Sequence, residues 1–335
     1  MNMNVLNRYL PFITLSRTLN LIKLFFSFWL SRLIRKPVHW GMPFALSVEP
    51  GTACDLRCPQ CPTGNGTLNR PGGRMQVEDF ETLLDMLPGL TVVNLYLQGE
   101  PFLHPRMTDM IRIASEKKLY TITSTNGQHI SEETAAAVVN SGLSEIWISM
   151  DGVTQDSYAK YRKGGDLEKV KRSIKLLSDA KKRSGKILPC IVVQFIVFRH
   201  NENEVEEFKR MAGKLGADRA EIKTAQFYEI GEGGVEPPVS EKFRRYASRD
   251  ELKLKGKTRN HCWKSWMSAV VTWNGEVLPC CYDKDGEHSL GNIRNAEFYK
   301  VWNGDKAMKF RKAVLTNKEK IEMCRNCPEG RSFFT

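Results

Sequence analysis

Short apolar runs and polar, helix-spaced segments alternate through the middle of the chain. Runs rich in β-branched and aromatic residues predict strands over residues 44–49, 92–98, 121–125, 145–150, 191–198 and 219–224. Between them, apolar residues recur at helical spacing over 77–87, 104–117, 131–141, 167–184 and 203–215. Strands that alternate with helices pair in parallel through crossover connections. The pattern therefore predicts an α/β fold, a partial (β/α)6 TIM-like barrel over residues 44–235.

A different pattern occupies the start of the chain. Over residues 5–36 polar side chains recur every three or four positions, at Asn20, Lys23, Ser27, Ser31 and Arg35, and Phe, Trp and Leu dominate the opposite side. This predicts an N-terminal amphipathic helix, followed by a breaker-rich linker that ends at residue 43. Lys23 and Ser27 interrupt the apolar run, and no small-residue cleavage site follows, so neither a membrane span nor a secretory signal is expected.

Two roles are open for this helix. It can lie on an anionic membrane surface, at the inner face of the membrane, or pack on the domain or on a dimer partner. The charge favours the membrane slightly, because half of the formal net charge of +12 lies in the first 36 residues. That segment has no Asp or Glu, and its cations are Arg8, Arg17, Lys23, Arg32, Arg35 and Lys36. Nucleic acid is not an expected partner, since its binding groove would spread cations over the folded body.

The nine cysteines are clustered along the chain. Eight fall into two groups, Cys54, Cys58 and Cys61, and Cys262, Cys280, Cys281, Cys324 and Cys327, and Cys190 stands apart in an apolar strand. They are too few for a disulfide scaffold of this length, and their clustering favours metal ligation in a reducing cytoplasm.

The first group carries the most specific signal. Three cysteines lie within eight residues, and no fourth Cys or His follows closely, as a structural zinc site would require. Three thiolates on one loop suit a cubane iron–sulfur cluster that keeps one iron open. An open iron can bind a small molecule, so the spacing indicates chemistry rather than scaffolding.

Polar motifs also follow the next three predicted strands. Gln98-Gly99-Glu100-Pro101 ends the second, Ser124-Thr125-Asn126-Gly127 the third and Ser149-Met150-Asp151-Gly152 the fourth. Because the carboxyl ends of parallel barrel strands share one rim, these residues are expected to form one site with the cysteine loop.

Together these motifs resemble the radical S-adenosylmethionine (SAM) enzymes over residues 44–235. The resemblance implies that Cys54, Cys58 and Cys61 hold a [4Fe-4S] cluster whose open iron chelates the methionine part of SAM. It implies further cofactor-binding residues around it: Gln98, Gly99 and Glu100 at the methionine ammonium, Ser124 and Asn126 on the third strand, Ser149 and Asp151 near the ribose, and Arg162 at the methionine carboxylate. Gln60 departs from the family, which usually has a large apolar residue before the third cysteine.

The carboxyl-terminal third predicts a second cysteine site. Apolar residues flank Asn274-Gly275 and predict a hairpin that turns Cys280 back toward Cys262, and Cys324-x-x-Cys327 adds a two-ligand loop. Four thiolates can close around zinc or a cubane. The spacing resembles the SPASM and twitch modules, which implies an auxiliary [4Fe-4S] cluster on Cys262, Cys280, Cys324 and Cys327. Cys281 is an alternative to Cys280.

Three domains follow from these patterns: residues 1–43, residues 44–235 and a small SPASM/twitch-like domain over 236–335. The chain ends eight residues after Cys327, which favours the twitch-like form with one auxiliary cluster.

The resemblance implies reductive cleavage of SAM to a 5′-deoxyadenosyl radical, which abstracts a hydrogen atom from a substrate. An auxiliary cluster favours a net oxidation of a small-molecule, sugar or lipid-linked substrate, with flavodoxin or ferredoxin as electron donor. One alternative is a peptide or protein maturase, of the kind that modifies ribosomal peptides or sulfatases. Another, from a different class, is a non-catalytic, membrane-attached zinc-binding protein.

Overall fold

A computed structural model describes residues 10–329 of the chain. Its strands are β1 Ala45–Val48, β2 Val92–Leu95, β3 Tyr120–Thr125, β4 Glu145–Ser149, β5 Cys190–Val197, β6 Arg219–Thr224, β7 Ser268–Val271, β8 Glu276–Leu278 and β9 Gly291–Asn292. Within the described residues they form one sheet in the order β6-β5-β4-β3-β2-β1-β7-β8-β9. Neighbours from β1 to β6 pair in parallel. The predicted α/β fold with a partial barrel is confirmed.

Helices connect the strands and flank them. They are α1 Leu15–Ile34, α2 Pro62–Asn65, α3 Val77–Asp85, α4 Met107–Glu116, α5 Glu132–Asn140, α6 Gln155–Tyr161, α7 Leu167–Ser184, α8 Val205–Lys214, α9 Lys264–Met267, α10 Phe298–Trp302, α11 Asp305–Asn317 and α12 Glu322–Arg325. The prediction for α7 is confirmed at both ends. Asp166 caps its start by accepting bonds from the N–H groups of Glu168 and Lys169, and Gly185 ends it in the left-handed conformation.

The N-terminal helix exists, but its predicted start at residue 5 was wrong. The structure begins α1 at Leu15, where the Thr14 hydroxyl accepts a hydrogen bond from the N–H of Arg17. Thr14 is thus an N-cap, a role that hydroxyl side chains fill well. Residues 5–9, which the prediction included, lie outside the described residues.

The core lies between the parallel sheet and its helices. Strand residues such as Ile146 and Val193 are fully buried, as are Phe80 of α3 and Ile174 of α7. Parallel strands covered by helices read as nearly continuous apolar runs, which is why the sequence located them well.

The carboxyl-terminal segment continues the barrel sheet. Strand β7 pairs in parallel with β1, in a register that sets Ala45 opposite Ser268, and β8 returns antiparallel to β7. The turn between β7 and β8 contains Gly275 at φ 87°, so the predicted hairpin is confirmed. The pairing fixes the hairpin, with the cysteines that follow it, beside the first barrel strand. The boundaries between the three domains remain a prediction.

Candidate active site

The carboxyl ends of the barrel strands surround a cavity of about 430 Å³. The three cysteines of the loop after β1 line it. Most of the other predicted cofactor-binding residues line it too: Gln98, Gly99, Glu100, Ser124, Asn126, Ser149 and Arg162. The chain therefore brings these residues from separate strand ends to one place, and Asp151 lies just behind them.

Close backbone approach explains the glycine after β2. Gly99 has φ 74°, and a Cβ there would stand 2.5 Å from the carbonyl oxygen of Gly51. The next residue, Glu100, donates its N–H to the Ala53 carbonyl at 2.7 Å. The end of β2 is therefore held directly against the start of the cysteine loop, and only glycine fits at the crossing.

Glu100 presents a buried carboxylate with three protein donors. It accepts bonds from the Thr125 hydroxyl and the Asn126 N–H, both at 2.7 Å, and from the Phe102 N–H at 3.1 Å. Burial raises the pKa of Glu100, and these donors act against that rise. A carboxylate oriented in this way at a cavity wall can pair with a ligand ammonium.

A bridge that the sequence did not indicate joins the third strand to the cysteine loop. The Asn126 amide donates to Asp55 at 2.8 Å, and the second oxygen of Asp55 lies 3.0 Å from Nε2 of His129. Asp55 stands between the first two cysteines, so the bridge orients the loop that carries them. No local spacing links Asp55 with His129, because they are 74 positions apart in sequence.

Asp151 holds the guanidinium of Arg162 in position. One carboxylate oxygen accepts a bond from Nε of Arg162 at 2.6 Å, and the other accepts the N–H of Ile196 at 2.6 Å. Asp151 is fully buried and is not among the residues that line the cavity, whereas Arg162 lines it and reaches within 3.8 Å of the Cys58 sulfur. Both oxygens are used by the protein, which makes Asp151 a positioning residue for the guanidinium.

Asp151→Asn is expected to weaken SAM binding by roughly tenfold in Kd, because the amide no longer holds Arg162 by charge. Equilibrium dialysis of SAM against the anaerobically reconstituted protein measures this. Asp218→Asn is the matched control, since Asp218 also pairs with a cation, Lys181, and accepts the N–H of Ile191 at the other end of β5. Equal SAM affinity in the two variants would contradict the role of Asp151.

Gln60, where the sequence departs from the pattern of the family that it resembles, links the cysteine loop to a distant segment. Its side chain is buried, and Oε1 accepts the N–H of Tyr228 at 2.9 Å as Nε2 donates to the Glu229 carbonyl at 3.0 Å. Gln60 thereby ties the cysteine loop to the segment after β6. Tyr228 lines the same cavity, so this bond helps to shape the cavity wall.

The three thiols of the cysteine loop line one part of the cavity wall. All nine cysteines are free. Burial raises the pKa of the Cys54 thiol to about 11, so its thiolate needs a cationic partner. A cubane spreads its thiolates over separate corners, which suits three cysteines arranged along a cavity wall.

The second group of cysteines also comes together. Cys262, Cys324 and Cys327 are buried, and Cys262 interacts electrostatically with Cys280, Cys324 and Cys327. Burial raises the pKa of Cys324 to about 12 and that of Cys327 to about 11. Four such thiols can hold a cluster with no open position.

A second cavity, of about 490 Å³, adjoins the first. Tyr96, Leu97, Gln226 and Lys284 line both, so we treat the two cavities as one chamber. Cys281 lines the second cavity beside Lys264, whereas Cys280 lines neither. The chamber thus runs from the three-cysteine loop toward the second cysteine group.

The chamber is rich in cations that the protein does not neutralise. Lys223, Arg245 and Lys284 line its first cavity. The ring of Trp147 lies 4.4 Å from Lys223, the Tyr282 hydroxyl 2.9 Å from Arg245, and the ring of Tyr228 5.0 Å from Lys284. Lys284 also interacts electrostatically with the Cys281 thiol. In the described part of the chain, none of the three cations forms an ion pair.

Two family models match the sequence. One is the radical SAM superfamily, over residues 48–213, and the other is SPASM, an iron–sulfur cluster-binding domain, over residues 262–328.

Curated relatives match most of the chain. A tungsten-containing aldehyde ferredoxin oxidoreductase cofactor-modifying protein of Pyrococcus furiosus is 25% identical, covering 84% of this chain and 86% of its own length. A PqqA peptide cyclase of Bradyrhizobium diazoefficiens is 27% identical, covering 78% of this chain and 71% of its own.

Solved structures share the fold. SuiB of Streptococcus suis bound to SAM aligns with a TM-score of 0.65 at 16% identity, covering 87% of this chain and 73% of that one. BtrN in complex with SAM and 2-DOIA aligns with a TM-score of 0.54 at 17% identity, covering 87% of this chain and 95% of that one.

Proposed function

Because this chain belongs to the radical SAM superfamily and carries a SPASM iron–sulfur domain, we propose that it modifies a peptide substrate by hydrogen-atom abstraction. Its cofactors are SAM, a [4Fe-4S] cluster and an auxiliary iron–sulfur cluster. When bound, the reduced cluster and SAM supply the 5′-deoxyadenosyl radical that takes the hydrogen atom. The protein binds and orients these groups.

The curated relatives support the proposal that the substrate is a peptide. PqqA peptide cyclases of four organisms match 78–85% of this chain and 71–79% of their own lengths, at 25–28% identity. The chamber is compatible with it, because a second cavity of about 490 Å³ adjoins the cavity that the predicted SAM-binding residues line.

The proposed roles of the residues follow from their placement. Cys54, Cys58 and Cys61 hold the SAM-binding cluster. Gln98, Gly99 and Glu100 receive the ammonium of SAM, and Arg162, oriented by Asp151, pairs with its carboxylate. The remaining polar groups on the cavity wall face the rest of the cofactor: Ser124, Asn126 and Ser149. Cys262, Cys280, Cys324 and Cys327 hold the auxiliary cluster.

The charge of the chamber indicates which kind of peptide it would bind. Lys223, Arg245 and Lys284 form no ion pair among the described residues. Lys223 is exposed, but Arg245 and Lys284 are half-buried, and half-buried cations favour an anionic partner. We therefore expect the bound segment of the peptide to be acidic.

A second candidate is the net oxidation of a small-molecule, sugar or lipid-linked substrate. The grouping of four cysteines favours it, because a fully ligated cluster cannot bind substrate and can accept an electron. The same cations would then bind a carboxylate or phosphate of that substrate. In either case the proposed location is a reducing cytoplasm, and the proposed electron donor is a flavodoxin or ferredoxin.

The test supplies peptides to the anaerobically reconstituted protein with SAM and dithionite. Candidates are short peptides encoded next to the gene, each with a matched variant whose Asp and Glu are replaced by Asn and Gln. The expected result is a change in peptide mass together with 5′-deoxyadenosine, and a several-fold loss of both with the neutral variant. Stimulation of 5′-deoxyadenosine by anionic small molecules, with every peptide unchanged, would favour the second candidate instead.

A further inference from the structure

Helix α1 packs on the protein with its polar side. Its buried positions follow one stripe, spaced by three or four residues: Arg17, Asn20, Leu24, Ser27, Phe28 and Ser31. Four of these six residues are polar. A surface helix normally buries its apolar stripe, so the packing of α1 is inverted.

Hydrogen bonds fix this inverted packing. The Arg17 guanidinium donates to the Lys118 carbonyl at 2.6 Å. The Asn20 side chain donates to the Met42 carbonyl at 2.9 Å and accepts the Met42 N–H at 2.8 Å. Farther along the helix, the Ser31 hydroxyl accepts the N–H of Val38 at 2.8 Å. The polar stripe is therefore satisfied by the protein, and α1 cannot turn its apolar side inward without breaking these bonds.

The outward side of α1 is consequently apolar. We call this surface the docking face, defined by six exposed side chains: Leu15, Leu19, Ile22, Phe25, Phe26 and Leu33. Leu33 is 82% exposed, Leu15 77% and Phe26 59%. A contiguous exposed face of large apolar residues indicates an interaction site.

Charge indicates what covers the docking face. Lys23, Arg35 and Lys36 are exposed on and just after the same helix and form no ion pair among the described residues. The chain has no acidic residue before Glu49. Apolar side chains flanked by cations suit the interface of an anionic bilayer. A second copy of the chain is disfavoured, because pairing two such faces would bring their cations together.

No helix in the described residues has the length and apolar character needed to cross a membrane. We propose that α1 binds the surface of an anionic lipid bilayer through the docking face, with its axis in the plane of the membrane. The proposal is independent of the substrate.

The docking face adjoins the chamber. The centre of the Phe25 ring lies 6.5 Å from the centre of the Trp263 ring, and the centre of the Phe28 ring lies 5.1 Å from the centre of the Trp263 ring. Trp263 lines the second cavity. An enzyme bound through α1 would therefore hold this part of its chamber beside the lipid.

Flotation of the full-length reconstituted protein with phosphatidylcholine vesicles, with and without phosphatidylglycerol, tests the proposal. A triple variant, Leu19→Ser, Phe26→Ser and Leu33→Ser, is expected to lose at least about tenfold in binding to the anionic vesicles, because it removes three of the apolar side chains that the lipid would bury. The matched control replaces three exposed apolar residues outside α1: Ile187→Ser, Val239→Ser and Tyr299→Ser. Iron content and 5′-deoxyadenosine formation should stay unchanged in both variants.

A second variant, in which cations are neutralised, separates the electrostatic contribution to vesicle binding from the apolar one. Lys23→Gln, Arg35→Gln and Lys36→Gln together should reduce binding to anionic vesicles by at least about tenfold and leave the weak binding to neutral vesicles unchanged, because only an anionic surface attracts these cations. Equal vesicle binding by the wild type and the apolar variant would overturn the proposal. So would sedimentation showing that the apolar variant only converts a dimer into a monomer.

Discussion

Cys54→Ala is expected to abolish SAM cleavage. The variant leaves two thiolates on the loop, too few to hold the cluster, so electrons cannot reach SAM. We expect 5′-deoxyadenosine formation with dithionite to fall at least about a thousandfold, which corresponds to ~4 kcal/mol in the barrier. Iron should fall by about four atoms per chain, leaving the auxiliary cluster.

Cys190→Ala is the control for this experiment. Cys190 begins β5 and lines neither cavity. Its replacement should keep both the iron content and the rate of SAM cleavage. If the Cys54 variant cleaved SAM at the rate of the control, Cys54 would not be a ligand of the catalytic cluster.

The parts of the fold that the sequence predicted well depend on local pattern. Strands β2, β4 and β5 are short, largely buried runs that helices cover. The edge strand β6 is polar and has no buried residue, but it matches its predicted bounds. The cysteine loop and the motifs after β2, β3 and β4 were visible because parallel strands end at one rim. Knowing the order of elements was therefore enough to bring these residues together.

Contacts between distant segments could not be predicted in the same way. The bridge from Asp55 to His129 and the bonds from Gln60 to residues 228 and 229 depend on loop conformations that no periodicity encodes. The parallel pairing of β7 with β1 also went unpredicted, because the intervening segment gives no sign of where the chain returns.

Helix α1 shows a different limit. Its two sides were clear from the sequence, but amphipathicity does not say which side faces the protein. The Arg17 side chain bonds to the Lys118 carbonyl, 101 positions away, whereas Asn20 and Ser31 bond to the backbone of Met42 and Val38, 22 and 7 positions away. These partners hold the polar side of α1 against the protein and leave its apolar side exposed. For this reason packing on the domain and binding to a membrane, which the sequence offered as alternatives, are compatible in the structure.

Cys280→Ser is expected to remove the auxiliary cluster, whereas Cys281→Ser should keep it. The two cysteines are neighbours in sequence, but Cys280 interacts with Cys262, and Cys281 lines the second cavity. We therefore assign the fourth ligand to Cys280. Iron should fall from about eight to about four atoms per chain in Cys280→Ser, with the sulfide content falling in parallel.

The rate of SAM cleavage gives a second comparison between the Cys280→Ser and Cys281→Ser variants. Because the cluster on Cys54, Cys58 and Cys61 does not need Cys280, the Cys280→Ser protein should still form 5′-deoxyadenosine with dithionite but should no longer modify substrate. Loss of cluster binding also removes a stabilising ligand, so its midpoint of thermal unfolding should fall below that of Cys281→Ser. The reverse pattern, with four iron atoms lost in Cys281→Ser and none in Cys280→Ser, would move the ligand to Cys281 and place the auxiliary cluster directly on the wall of the chamber.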